Sequence, residues 1–375
     1  MSIMVHVALD VHEATIAVTG LGDGSDTPVF ESDLINDPKT IRTHFSKWAQ
    51  QYNLRCCYEA SSCGYSLYRL LTQMGIQCEV IAPSLIPQRP GDHIKTDRRD
   101  ARKLARLYRA GVLTAIHVPT EQQESDRSLL RLRDDLVAEV VKAKNQIHKF
   151  LRVWGLRYDG KSNWTLRHWK WLRSLTFEGV DAIVWREYLG LLEYKLSRLQ
   201  EIERAVMELA NSDRYLPQVS RLCCLKGIAQ ITAMVLLTEL HDLRRFRSAR
   251  ALMAFLGLVP REHSSGARVR QGGITKAGNA RCRRAVVEAA WKYMHKPAIT
   301  QPLKARLAGQ PGDVAAHSWK AQERLYNKYW GIAKRRSPQK AVVAVGRELV
   351  GFIWAMMTQF EETGPVGTVA KAAVG

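Results

Sequence analysis

The chain lacks the marks of several protein classes. Its seven cysteines are an odd number, include the adjacent pairs Cys56–Cys57 and Cys223–Cys224, and nowhere form a Cys-x-x-Cys spacing. That supports neither a zinc ribbon nor a secreted disulfide framework and implies reduced core or surface thiols. No apolar run approaches the ~20 residues of a membrane span; the stretch Leu349–Met357 is nine long. The opening residues, MSIMVHVALDVH, show no basic segment leading into a long apolar one, so no signal peptide is expected. The patterns GxxxxGK[ST] and GxGxxG are both missing, which weakens a nucleotide-triphosphate reading. Acidic residues are scarce as well: 36 Asp and Glu stand against 56 Lys and Arg.

The resulting charge of +20, with a pI near 9.8, argues for a polyanionic partner, and nucleic acid is the first candidate. The rest of the composition is that of a soluble protein: 375 residues, 46% hydrophobic and 25% charged, enough for two or three domains. A cytoplasmic, nucleoid-associated chain without membrane contact is the expectation.

Along the chain the pattern changes twice. Residues 1–118 read as α/β. Met4–Asp10 and Ala14–Thr19 are β-rich runs close enough for a hairpin, and a third strand falls near Pro28–Glu31. A helix over Thr40–Tyr52, a strand Leu54–Tyr58, a helix Tyr65–Met74, a strand Gln77–Ala82 and a helix from Thr96 follow. The spacing predicts a mixed sheet whose first three strands are antiparallel. Residues 119–215 carry two long helical patterns, Glu124–Trp154 and Ile183–Leu209, able to pack as an antiparallel coiled coil. Their connector, Tyr158–Gly179, interleaves Trp164, Trp169 and Trp171 with Arg167, Lys170 and Arg173. Bases stack on such rings while cations meet phosphates; a tryptophan-rich helix end packing on the coiled coil fits equally. Residues 216–362 read as a mainly α domain, and 363–375 as a disordered tail.

Two constellations carry chemistry. Asp10 and Glu59 each close a strand, and Asp97 and Asp100 lie three apart at a helix start, on one face. Ligands of open α/β sheets gather beyond the carboxyl ends of strands. Four carboxylates meeting there would repel unless divalent cations neutralised them, and hard oxygen ligands suit Mg²⁺ or Mn²⁺. Residues 91–110 hold seven Lys/Arg against three Asp, with Arg98, Arg99 and Arg102 placed to hold a phosphate backbone. Surface carboxylates paired with those arginines are the competing reading. The second constellation runs from Gly257 to Arg284 and includes Arg261, Ser264-Ser265-Gly266, Arg268, Arg270, Lys276 and Asn279. A serine beside glycines on a cationic loop can bind a phosphate or attack phosphorus; it can also be an ordinary turn residue. Lys226-Gly227-Ile228-Ala229 is either a helix–hairpin–helix turn touching phosphates or a plain helix corner.

Together these residues resemble one family: insertion-sequence transposases with a RuvC-like DEDD domain and a C-terminal serine domain. They are also called bridge-RNA-guided recombinases and are related to the Piv invertase. The matching stretches are Ala8-Leu9-Asp10-Val11-His12, Tyr58-Glu59-Ala60 with Gly64-Tyr65, and Lys95-Thr96-Asp97-Arg98-Arg99-Asp100-Ala101. Further on they are Gly257-Leu258-Val259-Pro260-Arg261, Ser265-Gly266, and Ile274-Thr275-Lys276-Ala277-Gly278-Asn279 with Arg283. The order is specific where each motif is weak. Ala8 stands where a glycine is usual and Glu13 where a lysine is.

The resemblance implies an RNase H-like (RuvC-like) N-terminal domain in which Asp10, Glu59, Asp97 and Asp100 hold Mg²⁺. It implies that Ser265, with Ser264 as an adjacent alternative, attacks DNA and becomes joined to it. It further implies a homo-oligomer, dimer or tetramer, and a non-coding bridge RNA pairing with target and donor DNA. Trp169, Lys170 and Lys226 join the basic residues above as nucleic-acid ligands. Two other functions remain open: a RuvC-like structure-specific endonuclease without a covalent intermediate, and a catalytically inactive nucleic-acid-binding protein.

Overall fold

The computed structural model describes residues 3–87, 96–262 and 271–359. The chain forms two compact units, Met1–Pro119 and Thr120–Gly375. The tail expected at 363–375 lies outside the described residues.

The first unit is built on five strands: β1 Ile3–Val11, β2 Thr15–Gly22, β3 Pro28–Ile35, β4 Tyr52–Glu59 and β5 Gln77–Ile81. Their order across the sheet is β3-β2-β1-β4-β5. β1–β2 and β2–β3 are antiparallel, whereas β1–β4 and β4–β5 are parallel. The reason is connection length: three- and five-residue links allow only hairpins, while α1 (Pro38–Gln51) and α2 (Ser66–Gln73) provide the crossovers that parallel neighbours require. Asp37 caps α1 by accepting from the N–H groups of Lys39 and Thr40, with Pro38 behind it. One face of the sheet packs with Ile41, Phe45, Leu67 and Leu71 from these helices. The other face packs with Leu104 and Ala105 of α3 (Asp97–Arg109).

The second unit is helical. α4 (Glu121–Val153) opens with a reciprocal cap between Thr120 and Gln123. It runs antiparallel to α6 (Gly179–Ala210): Arg133 pairs with Glu203, Glu139 with Lys195, and Phe150 stacks on Trp185. α5 (Leu166–Ser174) lies between them in sequence. The pair divides its apolar residues between two cores. Leu130, Val206 and Ala210 belong to the main helical core; Ile147, Leu151, Leu172, Trp185 and Leu192 form a separate core with α5.

The main core adds α7 (Leu216–Leu222), α8 (Gln230–Leu240), α9 (Ala249–Phe255), a ribbon of β6 (Pro260–Glu262) and β7 (Gln271–Ile274), then α10 (Ala280–Ala290), α11 (Gln301–Leu307), α12 (Gly312–Ala333) and α13 (Pro338–Thr358). α13, with a mean hydropathy of 1.5, is long and apolar enough to cross a bilayer, more so than its nine-residue uncharged run implied. Its Ala341, Val345, Leu349, Ile353 and Met356 are fully buried in the unit's own core. That burial explains its apolarity.

Candidate active site at the carboxyl edge of the sheet

β1 and β4 lie side by side in parallel, with Leu9 opposite Tyr58. The next residue on each strand is a carboxylate, so Asp10 and Glu59 emerge together where the two strands end. Both line a cleft of about 190 Å³ with Pro83, Asp100 and Lys103. Asp97 and Asp100 occupy the first turn of α3, which starts where the Thr96 hydroxyl accepts from the Arg99 N–H. Acids are favoured there because the first turn leaves N–H groups and the positive dipole end exposed. The four sequence-predicted acids are therefore brought to one edge of the unit.

His12 joins them. Its Nε2 lies 3.5 Å from Asp10 Oδ2 and 3.6 Å from Asp97 Oδ1. One ligand atom from each of Asp10, His12 and Asp97 fits within a 4.8 Å span. Sequence reasoning quoted His12 within a motif but gave it no role. The signal was available, since residues two apart on an extended chain share a face. Burial is the largest influence on Asp10 and raises its pKa above the ordinary carboxylate value; His12 opposes this, and the charges of Asp97 and Asp100 push the pKa further up. A half-buried acid in the field of two others is a site that a cation would relieve. The oxygen-rich donor set fits a hard divalent ion, with His12 Nε2 as an added nitrogen.

The arginines of α3 have a different disposition. Arg98 reaches Asp33 at 2.6 Å and Arg102 grips Glu31 through two bonds of 2.5 Å. Arg106 and Arg109 meet Asp26 at 3.3 and 2.6 Å, and Arg109 also donates to the Gly22 carbonyl at 2.9 Å. The Arg102 hydrogen bond holds Glu31 below its ordinary pKa. Arg98 and Arg102, named above as phosphate ligands, thus clamp the helix to β3, and Arg99 is left exposed. The pattern was readable: Glu31 and Asp33 share one face of a strand, and arginines four apart share one face of a helix.

In the second unit the Gly257–Asn279 motif is a backbone crossing. Gly257 and Gly278 have positive φ (62° and 67°). A methyl on Gly278 would sit 1.9 Å from the Phe255 carbonyl oxygen, and one on Gly257 2.2 Å from that of Ala277. Arg283 donates to the carbonyls of Leu256 and Ala277 at 2.9 and 3.0 Å, closing the crossing. Asn279 caps α10 by accepting from the Cys282 N–H, and donates to Glu239 at 2.7 Å. Glu239 also receives two bonds from Arg131; burial pushes its pKa up, but these partners hold it below the ordinary value.

This framework anchors the base of the β6–β7 ribbon. Ser264, Ser265, Arg268 and Arg270 lie between its strands and outside the described residues. Arg261 and Lys276 are exposed at its base. Lys226 donates to the carbonyls of His295 and Lys296, and a methyl on Gly227 would meet the Ala289 oxygen at 2.4 Å, the geometry of a packed helix corner. Trp169 is half-buried with the Arg173 guanidinium 5.5 Å from its ring centroid, and Lys170 is exposed.

A mixed α/β sheet with a carboxylate cluster at its strand ends, joined in one strongly basic chain to a helical unit, suits a protein that works on a polyanion, and comparison with known proteins shows which class that is. A DEDD transposase profile of the IS110 type matches residues 7–154, and one described as "Transposase IS116/IS110/IS902 family" matches 219–304. The y4qE protein of Sinorhizobium fredii, named as a transposase, is 40% identical over 82% of this chain and 76% of its own. The transposase for insertion sequence element IS1533 of Leptospira borgpetersenii is 32% identical over 88% of this chain and 97% of its own. That for IS1111A of Coxiella burnetii is 25% identical over 81% and 78%. The chain belongs to the IS110/IS116 family of transposases.

Proposed function

We propose that the chain cleaves and rejoins DNA strands at insertion-sequence ends and target, with Asp10, Glu59, Asp97 and Asp100 holding Mg²⁺ or Mn²⁺. The convergence of these acids on one sheet edge is the observation that carries the reading. Bound there, divalent cations supply charge neutralisation at the phosphate and at the oxygens it gains and loses. The chain's own residues do the remaining work. Asp10 and Glu59 hold a rigid strand-end frame, since neighbouring parallel strands fix their spacing. Asp97 and Asp100 are presented by the first turn of α3, whose arginine clamps keep the helix on the sheet. His12, between Asp10 and Asp97, orients both carboxylates.

The second half of the reaction rests on the resemblance. Ser265 attacks the DNA phosphorus, its oxygen forming the new ester bond as the DNA 3′ or 5′ oxygen departs; Ser264 is the neighbouring alternative. A bridge RNA selects the two DNAs by pairing, a dimer or tetramer supplies both halves of the site, and the nucleoid is where it acts. The exposed Arg99, Lys170, Arg261 and Lys276 would meet phosphates. The test is excision and adduct formation in vitro. Asp97→Asn should lower cleavage by about a hundredfold or more, and Ser265→Ala should abolish a covalent protein–DNA product. Full activity of Asp97→Asn removes the metal reading. Cleavage without any trapped adduct leaves the hydrolytic junction nuclease in its place.

A further inference from the structure

The far end of the α4–α6 pair carries an open cavity of about 800 Å³, lined by Asn145, His148, Arg152, Tyr158, Lys161 and Trp171 among others, with His168 in its wall. Its size falls in the range of small-molecule sites, about 300–1,000 Å³. His168 is 99% buried, at 1% relative exposure. Its Nδ1 accepts from the backbone N–H of Trp164 at 3.0 Å. Because Nδ1 accepts, the ring proton sits on Nε2, and burial, then the neighbouring His148, lowers the pKa in favour of this neutral form. That Nε2–H has no hydrogen-bond partner among the described residues. A buried donor without an acceptor is costly, and such groups point to something that binds.

The aromatic groups around it form a surface. Tyr158 meets His168 edge-on at 4.7 Å, Trp171 stacks with His168 at 5.5 Å and 25°, and Tyr158 and Trp171 lie 5.3 Å apart. Gly160 is under the Tyr158 ring, where a methyl would come within 2.2 Å. Arg152, Arg157 and Lys161 are exposed at the rim. Trp164 holds a left-handed backbone (φ 64°), unusual for a bulky residue, in presenting its N–H to His168.

We propose that this cavity takes one unstacked nucleotide of a single-stranded nucleic acid: base against Trp171 and Tyr158, whose rings give way so that a base carbonyl oxygen reaches His168 Nε2–H, phosphates on Arg152, Arg157 and Lys161. A ring face, a buried donor and a cationic rim are the three features a nucleotide matches together. The site lies in the connector whose rings the sequence marked for base stacking but uses Tyr158 and Trp171 rather than Trp169 and Lys170, and its occupancy requires neither metal nor serine chemistry.

The experiment measures binding of full-length protein, without divalent metal, to fluorescein-labelled decauridylate, its deoxy counterpart and an abasic decamer of equal charge. The base-bearing strands should bind about tenfold tighter than the abasic one, the scale of one stacked base. His168→Asn keeps an acceptor for Trp164, but its shorter side chain cannot place a donor where Nε2 stood, and Gly160→Ala displaces Tyr158. Each should erase the preference for bases while leaving the salt dependence unchanged. Arg157→Ala with Lys161→Ala, both on the surface, should weaken all three strands and flatten the salt slope. Preference for the ribo strand assigns the site to RNA, for the deoxy strand to DNA, and equal binding to either. Wild-type protein blind to the missing bases overturns the proposal, as does a preference that survives both cavity variants. Because metal is absent, neither result depends on the carboxylate site being catalytic.

Discussion

Asp10 is a carboxylate whose environment opposes its charge. Its raised pKa, caused first by burial and then by Asp97 and Asp100 against His12, means that the metal-free fold favours the protonated acid. Stability from this group is therefore complete below the ordinary carboxylate value of 3.8 and is lost as pH rises through the higher folded value. Two outcomes follow. Asp10→Asn should raise the melting temperature of metal-free protein at pH 7 while abolishing cleavage, an exchange of stability for function. Added Mg²⁺ should raise the melting temperature of the wild type at pH 7, and much less at pH 4; calorimetry at the two pH values checks both. His12→Ala, removing a group that orients two acids rather than a main ligand, should cut cleavage about 10–100-fold and shift its pH profile. The acids were legible from chain position, since strand ends and a helix start are where α/β ligands gather. His12 was half legible: its place two residues after Asp10 puts the two on one face, whereas nothing in the motif shows that Asp97 will meet them.

At the level of elements, α3 is both scaffold and site. Its arginines hold β3 and the β2–β3 turn, and its first turn presents Asp97 and Asp100. Thr96→Ala removes the cap and should destabilise the helix by about 1 kcal/mol. Cleavage should fall further than that loss explains, because the fraying turn is the one bearing the acids; Thr96→Ser should restore both. The Gly257–Gly278 crossing belongs to the same scale. Gly278→Ala places a methyl against a carbonyl oxygen at positive φ and should destabilise the helical unit by about 2–4 kcal/mol, read as an early unfolding step in urea. Sequence patterning suggested a phosphate-binding loop for these glycines, since close approach to a phosphate and close approach to another backbone both demand the missing side chain. Only the neighbouring chain distinguishes them.

Over the whole molecule, charge is the property that counts. A +20 chain should bind DNA with a steep salt dependence, log K falling linearly with log salt concentration, largely independent of Mg²⁺. Part of that charge is internal: Arg131 on Glu239, Arg281 and Arg284 on Asp134, and Arg214 on Asp126 are spent joining α4 to the helical core. The slope should therefore report fewer phosphate contacts than the count of cations suggests. All seven cysteines are free and six are buried; burial pushes buried thiols such as Cys78 up to about 12, so those six are inert.

By itself the sequence determined the strands, their antiparallel-then-parallel order, the long helix pair and the acids at the sheet edge. Each of these follows from local periodicity, link length and position at the end of an element. Tertiary structure alone decided that the arginine face of α3 meets the acidic face of β3, that the motif glycines serve a backbone crossing, and that Asp97 comes to His12. These contacts join residues about twenty or more positions apart, and a side chain's role is set by whatever packing brings opposite it.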